Sequence, residues 1–210
     1  MKKLGIAAVI LALFLMIILG WLWSSRAGLI DRTQEVDSQA GTLAAAYQRR
    51  FDLVPNLAAT VDNFMSRQNQ IQTGVIELRQ RVVQFKSSAD SLLGVANSAM
   101  GTKNVLLLDS LSNLLSSKIN SMINVVVERY PDIKGEQIYG DMMAQLEGTE
   151  NRIIQERRTF NVKVMDYNKY RQKKLGAILA GGIFSFPYER QYFKAEEGAE
   201  KAPNVKKLFQ

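Results

Sequence analysis

The chain opens with an unbroken apolar run, Leu4 to Trp23, that contains no charged side chain. A helix of that length covers about 30 Å, the thickness of one hydrocarbon core. The apolar core of a cleaved signal peptide is shorter, at about 7–15 residues, so the pattern favours a retained anchor, although residues 25–27 have the spacing of small residues found at cleavage sites. Trp21 lies near the end of the run, where indole rings prefer the headgroup layer.

Basic residues on either side orient this span. Lys2 and Lys3 precede it together with the α-amino group, and Arg26 and Arg32 follow it. Since the more basic flank stays in the cytoplasm, we predict that the N-terminus is cytoplasmic and that residues 28–210 lie outside the cytoplasm. The resulting division is an anchor at 1–27, a helical bundle at 28–193 and a C-terminal tail at 194–210.

A heptad repeat runs from Leu57 to Ala99, with steps of four and three residues between its members. Such a repeat is typical of the seam in a coiled coil and predicts a single helix of about 65 Å. Gln68 is the one polar position in the seam. The apolar positions are Leu57, Val61, Phe64, Ile71, Val75, Leu78, Val82, Phe85, Ala89, Leu92, Ala96 and Ala99.

Two further apolar stripes at helical spacing follow the heptad repeat. Asn104 is placed to cap the first, and Tyr130-Pro131 is expected to end it, because proline disfavours helix in the residue before it. The second begins at Tyr139. The members of the two stripes are Leu108, Leu111, Leu115, Ile119, Met122 and Val126, then Tyr139, Met142, Leu146, Thr149, Ile153, Phe160, Val164 and Tyr167.

Residues 29–50 carry a weaker helical pattern that we expect to end near Val54-Pro55. Asp52 would then cap the next helix, with Pro55 tolerated in its first turn. The pattern leaves open whether this break is a kink or a reversal. Because no helix can bury its stripe alone, the sequence predicts an all-α fold, an N-terminal transmembrane helix followed by an elongated antiparallel bundle of three to four long helices.

Composition restricts the chemistry further. The 210 residues include no Cys and no His. Thiolate nucleophiles, His-containing triads and Cys- or His-ligated metals are therefore excluded, and we expect no enzyme activity, cofactor or metal. The paired carboxylates at 147 and 150 could serve hydrolysis only in a cleft, which a slender bundle offers poorly.

The net charge of +7 is concentrated in residues 157–174, with seven basic side chains against Asp166. Lys169, Arg171, Lys173 and Lys174 are candidates for contact with anionic lipid or an acidic partner. The alternative is a solvated helix face, and the absence of a recognition motif argues against nucleic acid. An apolar stretch follows at residues 175–186; it is too short to span a bilayer and could pack on the bundle, dock a partner or enter a bilayer surface.

Four segments of the chain carry distinctive motifs: residues 47–57 (Tyr-Gln-Arg-Arg-Phe-Asp-Leu-Val-Pro-Asn-Leu), residues 146–153 (Leu-Glu-Gly-Thr-Glu-Asn-Arg-Ile), their continuation at 158–168, and the ending at 192–205. In this order they give the chain a resemblance to the LemA family of bacterial membrane proteins. It implies a single-span protein of the bacterial inner membrane with an elongated antiparallel helical domain, and it implies no established activity.

Polar residues in these motifs are the candidate site. They would form either a buried structural network, which we favour because unpaired buried charge is costly, or a partner site. The set comprises Arg49, Arg50, Asp52, Pro55, Asn56, Glu150, Asn151, Arg152, Asn161, Tyr167 and Asn168.

The sequence as a whole favours a non-enzymatic, membrane-anchored scaffold or adaptor of the cell envelope. We expect one or more protein partners, and a homo-oligomer remains an alternative. The rival hypothesis is a peripheral protein that remodels membranes or contacts anionic lipid through the bundle itself.

Overall fold

A computed structural model describes residues 2–67, 73–102, 104–135 and 137–193, and all regular structure in these ranges is helical. The tail predicted at 194–210 lies outside the described residues. The elements are α1 (Lys2–Arg67), α2 (Thr73–Gly101), α3 (Val105–Arg129), a short 3-10 turn (Pro131–Gly135), α4 (Gln137–Lys173) and α5 (Leu175–Ile183).

The central element is α1, a helix of 66 residues that packs against each of the other four helices. Its most extensive partner is α4, which returns along it from Glu150 opposite Arg50 to Tyr170 opposite Ser25. On the described part of the chain, α1 is also the one helix long and apolar enough to cross a membrane. Its apolar run is exposed, and the packed part of the helix begins near Ser25 and Leu29.

The predicted all-α bundle is confirmed, and its core follows the predicted stripes. All six members of the α3 stripe are buried, as are Ile153, Phe160 and Val164 of the α4 stripe. Asn104 caps α3 by accepting a hydrogen bond from the Leu107 backbone N–H at 3.1 Å. The helix ends at Arg129, with Tyr130 as its C-cap directly before Pro131, as expected.

The break expected near Val54-Pro55 is wrong, because α1 continues through Pro55 without ending. Asp52 is accordingly not a cap; it accepts a hydrogen bond from Gln48 Nε2 at 2.7 Å, one turn back in the same helix. A proline inside a helix costs about 3 kcal/mol. Burial of the surrounding apolar side chains offsets that cost, because Phe51, Val54 and Leu57 all lie in the core while Pro55 faces solvent.

The single 65 Å helix expected from 57 to 99 is also wrong. The heptad repeat is divided between the end of α1 at Arg67 and α2, which begins at Thr73, and these two helices pack against each other. The phase of the seam is nevertheless correct, since Val61, Phe64, Val82 and the later seam alanines are buried. Gln68 and Ile71, together with the side chains of Val75 and Leu78, lie outside the described residues.

Candidate functional site

A half-buried ion pair joins the two motif segments, which are 100 residues apart in the chain. Arg50 on α1 pairs with Glu150 on α4, and its guanidinium also donates to Ser112 Oγ on α3 at 3.4 Å. Arg50 is only 8% exposed. Because a buried cation without a counter-charge is costly, this pair ties α1, α3 and α4 together at one level of the bundle.

A second polar contact lies one helical turn nearer the apolar run of α1. The Tyr47 hydroxyl donates to Asp109 Oδ1 at 2.6 Å, and Arg157 Nη1 lies 3.3 Å from the same oxygen. Burial and then the hydrogen bond to Asp109 raise the pKa of Tyr47. The phenol therefore remains a neutral donor, and the contact again joins α1, α3 and α4.

Asp109 is not among the residues predicted from the sequence, although a signal for it is present. It is the lone acidic residue of α3 before Glu128, and it directly follows Leu108 of the buried stripe. A single carboxylate at that position on an otherwise uncharged helical turn indicates a specific partner. The partner, Arg157, had been included only in the charge of the basic segment.

Other residues of these two motifs lie on the surface. Arg49, Asp52, Pro55, Asn56 and Asn151 are exposed. Arg152 is exposed too and lies 3.5 Å from Glu156, four residues along the same helix. The candidate residues of these two motifs thus separate into the pair of Arg50 and Glu150 and an exposed remainder.

The later motif residues Asn161, Tyr167 and Asn168 hold the segment after α5 against α4. Each asparagine makes a reciprocal pair of hydrogen bonds with one residue of the returning chain, Asn161 with Phe193 and Asn168 with Arg190, all at 2.9–3.0 Å. The Tyr167 hydroxyl donates to the Pro187 carbonyl at 2.6 Å.

We call the pairing of Asn161 with Phe193 and of Asn168 with Arg190 the clamp. Its spacing follows from helix and chain geometry. Two helical turns separate Asn161 from Asn168 by about 10.5 Å. Three residues of extended chain cover about 10 Å, which is the interval from Arg190 to Phe193. The two amides therefore pair with residues 190–193 in antiparallel register. The Arg190 guanidinium also donates to Asp37 Oδ1 on α1 at 2.8 Å.

An open polar groove runs beside the Arg50–Glu150 pair. It is a shallow depression open to solvent, and one wall is a face of α3 made of residues three or four positions apart. That wall carries hydrogen-bonding side chains without charge, whereas solvated helix faces usually mix Lys, Arg, Glu and Asp. Its members are Asn113, Ser116, Ser117, Asn120, Ser121 and Asn124.

Fewer basic side chains of residues 157–174 are free to contact anionic lipid or an acidic partner than the sequence suggests. Arg157 is engaged with Asp109, and Lys163 Nζ lies 3.0 Å from Glu35 Oε2. Arg171, a candidate for lipid contact, is 5% exposed and donates to the Ile178 carbonyl at 3.4 Å, so it is not presented to a headgroup. Lys169, Lys173 and Lys174 remain exposed.

A comparison with known protein families matches residues 39–206 to the LemA family. The chain belongs to the LemA family. The matched range includes Arg50, Glu150 and both clamp asparagines, so the ion pair and the clamp lie within the family region. No curated protein and no solved structure matches this LemA-family chain.

Proposed function

We propose that this LemA-family protein is a non-enzymatic scaffold of the bacterial cell envelope that holds a polar groove at a fixed height above the inner membrane. The observation that carries the proposal is the continuity of α1. The apolar run and the central helix of the bundle belong to one helix of 66 residues, with no loop between them. A continuous helix of this kind would fix the position and orientation of the bundle relative to the membrane.

The dimensions follow from the helical rise. At about 1.5 Å per residue, α1 is about 100 Å long, and Arg50 lies about 40 Å beyond Trp23 along the helix axis. The groove beside Arg50 would thus stand well clear of the headgroup layer. A partner that binds there would be held at that distance from the bilayer.

The groove favours a protein partner that offers hydrogen bonds rather than charge. Its Ser and Asn side chains both donate and accept, which suits backbone or uncharged polar groups. Two charged pairs at this level already satisfy each other, Glu150 with Arg50 and Asp109 with Arg157.

Site-specific photocrosslinking in native membranes tests the groove. A photoreactive residue at Ser117 or Asn120 should form an adduct of defined mass, whereas one at Val162, which is exposed on α4, should not. Equal adducts at all three positions, or none in the groove, would contradict the proposal. An adduct at twice the mass of the chain would identify a second copy as the occupant.

The proposed orientation places the bundle outside the cytoplasm, because Lys2 and Lys3 precede the span. An alkaline-phosphatase fusion to the C-terminus should then be active, and a GFP fusion there should be dark. The reverse result would place the groove in the cytoplasm and change the class of partner without changing its distance from the membrane.

A further inference from the structure

The short helix α5 packs directly on the end of the apolar run of α1. A side-chain carbon added at Gly176 would overlap Ser25 Oγ and lie 3.0 Å from the Trp21 ring. At the other end of α5, the Phe184 ring lies 4.9 Å from the Arg26 guanidinium. The nine-residue helix therefore lies against residues 21–26 of α1, with its first turn beside Trp21 and Ser25.

The two faces of α5 differ in size and exposure. The face against the bundle consists of small buried residues, Gly176, Ala177, Ala180 and Gly181. The opposite face carries large apolar side chains, of which Leu175 and Ile183 are each 64% exposed. The outward set is Leu175, Ile178, Leu179 and Ile183.

The surroundings of this outward face are those of a membrane interface. Trp21 and Trp23 are exposed at the same level of α1. Lys173 and Lys174 are exposed at the turn that leads into α5. Indole rings and basic side chains both favour the headgroup layer, and apolar side chains beside them favour the acyl boundary.

We propose that α5 is a second membrane-contacting element, whose outward apolar face enters the interface of the bilayer that α1 spans. We assign lipid as the occupant because the outward face of α5 continues the apolar surface of α1. Leu175 lies next to Gly176, which contacts α1 at Trp21, near the end of its apolar run. At about 13 Å, α5 is too short to span, so it lies at the surface with its Leu175 end deepest. Lys173 and Lys174 meet the headgroups above it.

This arrangement deepens the proposed scaffold function and rests on its membrane anchor. A single helix through a bilayer is free to tilt and to rotate about its axis. A second contact at α5, off the axis of α1, restricts both motions. The groove beside Arg50 would then keep a fixed direction as well as a fixed height.

Depth measurements on the full-length chain in anionic lipid nanodiscs test the proposal. The chain has no Cys, so single cysteines at Leu175, Leu179, Ile10 and Val162 can carry a spin label without background. Oxygen partitions into the bilayer, and a nickel chelate stays in water. Labels at Leu175 and Leu179 should show an oxygen-to-nickel collision ratio severalfold above that at Val162 and closer to that at Ile10.

Each other result has a definite meaning. A ratio at Leu175 and Leu179 equal to that at Val162 would show a solvent-exposed face and overturn the proposal. Low collision with both reagents would show cover by protein, a second copy included, and would overturn it too. If the label at Ile10 also behaved like that at Val162, the anchor itself would have failed, and with it the scaffold function.

Discussion

The middle of the bundle and its membrane-proximal end are held together by different chemistry. Around Arg50, charged and hydrogen-bonding side chains connect α1, α3 and α4. Around Gly176, small residues allow α5 to approach α1 closely, and Arg171 folds over Gly181 to reach a backbone carbonyl. Packing in the first region requires polar side chains that pair with each other. Packing in the second region requires that the side chains between α5 and α1 stay small. The two regions should therefore respond to opposite kinds of substitution.

Removing one member of the buried ion pair should have the largest effect on stability. Glu150→Ala leaves the Arg50 guanidinium buried without its counter-charge. Breaking a buried pair costs about 3–5 kcal/mol; we expect about 2–3 kcal/mol here because the Glu150 side chain is 42% exposed and water can reach it. Chemical unfolding of the full-length chain in detergent, followed by circular dichroism, measures the loss.

Two variants sharpen this result. Replacing both partners, Arg50→Met with Glu150→Leu, should recover most of the stability, because no charge is then left buried. Arg152→Ala, which breaks the exposed pair with Glu156, should cost less than about 0.5 kcal/mol. An equal loss for Glu150→Ala and Arg152→Ala would show that the buried pair adds nothing, and the contrast between the regions would disappear.

Enlarging Gly176 should disturb the membrane-proximal end alone. Gly176→Leu forces atoms into the space of Ser25 and Trp21, and overpacking of this kind costs about 1–3 kcal/mol. We expect α5 to separate from α1 and residues 175–193 to become sensitive to protease, while the Arg50 region stays folded.

Gly182→Leu is the matched control, because a side chain there meets open space. It should leave the protease pattern unchanged. If both glycine variants were cleaved alike, close approach would not be what holds α5 in place.

The difference between the regions also explains how much the sequence could predict. Apolar stripes, the Asn104 cap and the stop at Pro131 depend on neighbours within one or two turns, so spacing alone located them. The helix end predicted at Pro55 is wrong because burial of Phe51, Val54 and Leu57, a tertiary effect, outweighs the local effect of the proline. The division of the heptad repeat between α1 and α2 left no change in phase to detect.

Of the residues that meet around Arg50, the sequence indicated Arg50 and Glu150 as candidates but not their pairing, and it did not indicate Asp109. A preference for complementary buried charge was evident in the two motifs, yet one chain cannot show that Arg50 meets Glu150 rather than Glu147. The Ser and Asn wall of the groove lacks the charge or aromatic residues that mark a site in a sequence. Arg171 looked like its lysine neighbours until the fold placed it beneath α5.

Alkaline pH should weaken the middle of the bundle through Tyr47. Its pKa is raised in the folded state by burial and by Asp109, so the stability that it contributes is fully present below the unfolded value of about 10 and is lost as the pH rises towards the folded value. Tyr47→Phe should cost about 1 kcal/mol at neutral pH and make the decline above pH ~10 shallower.

The pH dependence of unfolding for Tyr188→Phe provides the comparison, because Tyr188 is 62% exposed. Its curve should follow that of the wild type. A Tyr47→Phe curve parallel to the wild type at high pH would show that Tyr47 does not govern the alkaline loss.

The smallest effect on stability should come from the two lysines at the membrane-proximal turn. Lys173→Gln with Lys174→Gln removes exposed charges, so unfolding should shift by less than about 0.5 kcal/mol. Each lysine near an anionic surface contributes about 1 kcal/mol, attenuated beyond about 8 Å at physiological salt.

The wild-type chain should therefore enrich spin-labelled anionic lipid over zwitterionic lipid at its surface, and the double variant should lose most of that preference. Lys163→Gln, which removes a charge paired with Glu35, should retain it. Equal lipid preference in the wild type and the double variant would leave α5 with an apolar contact to the bilayer and no role for the lysines.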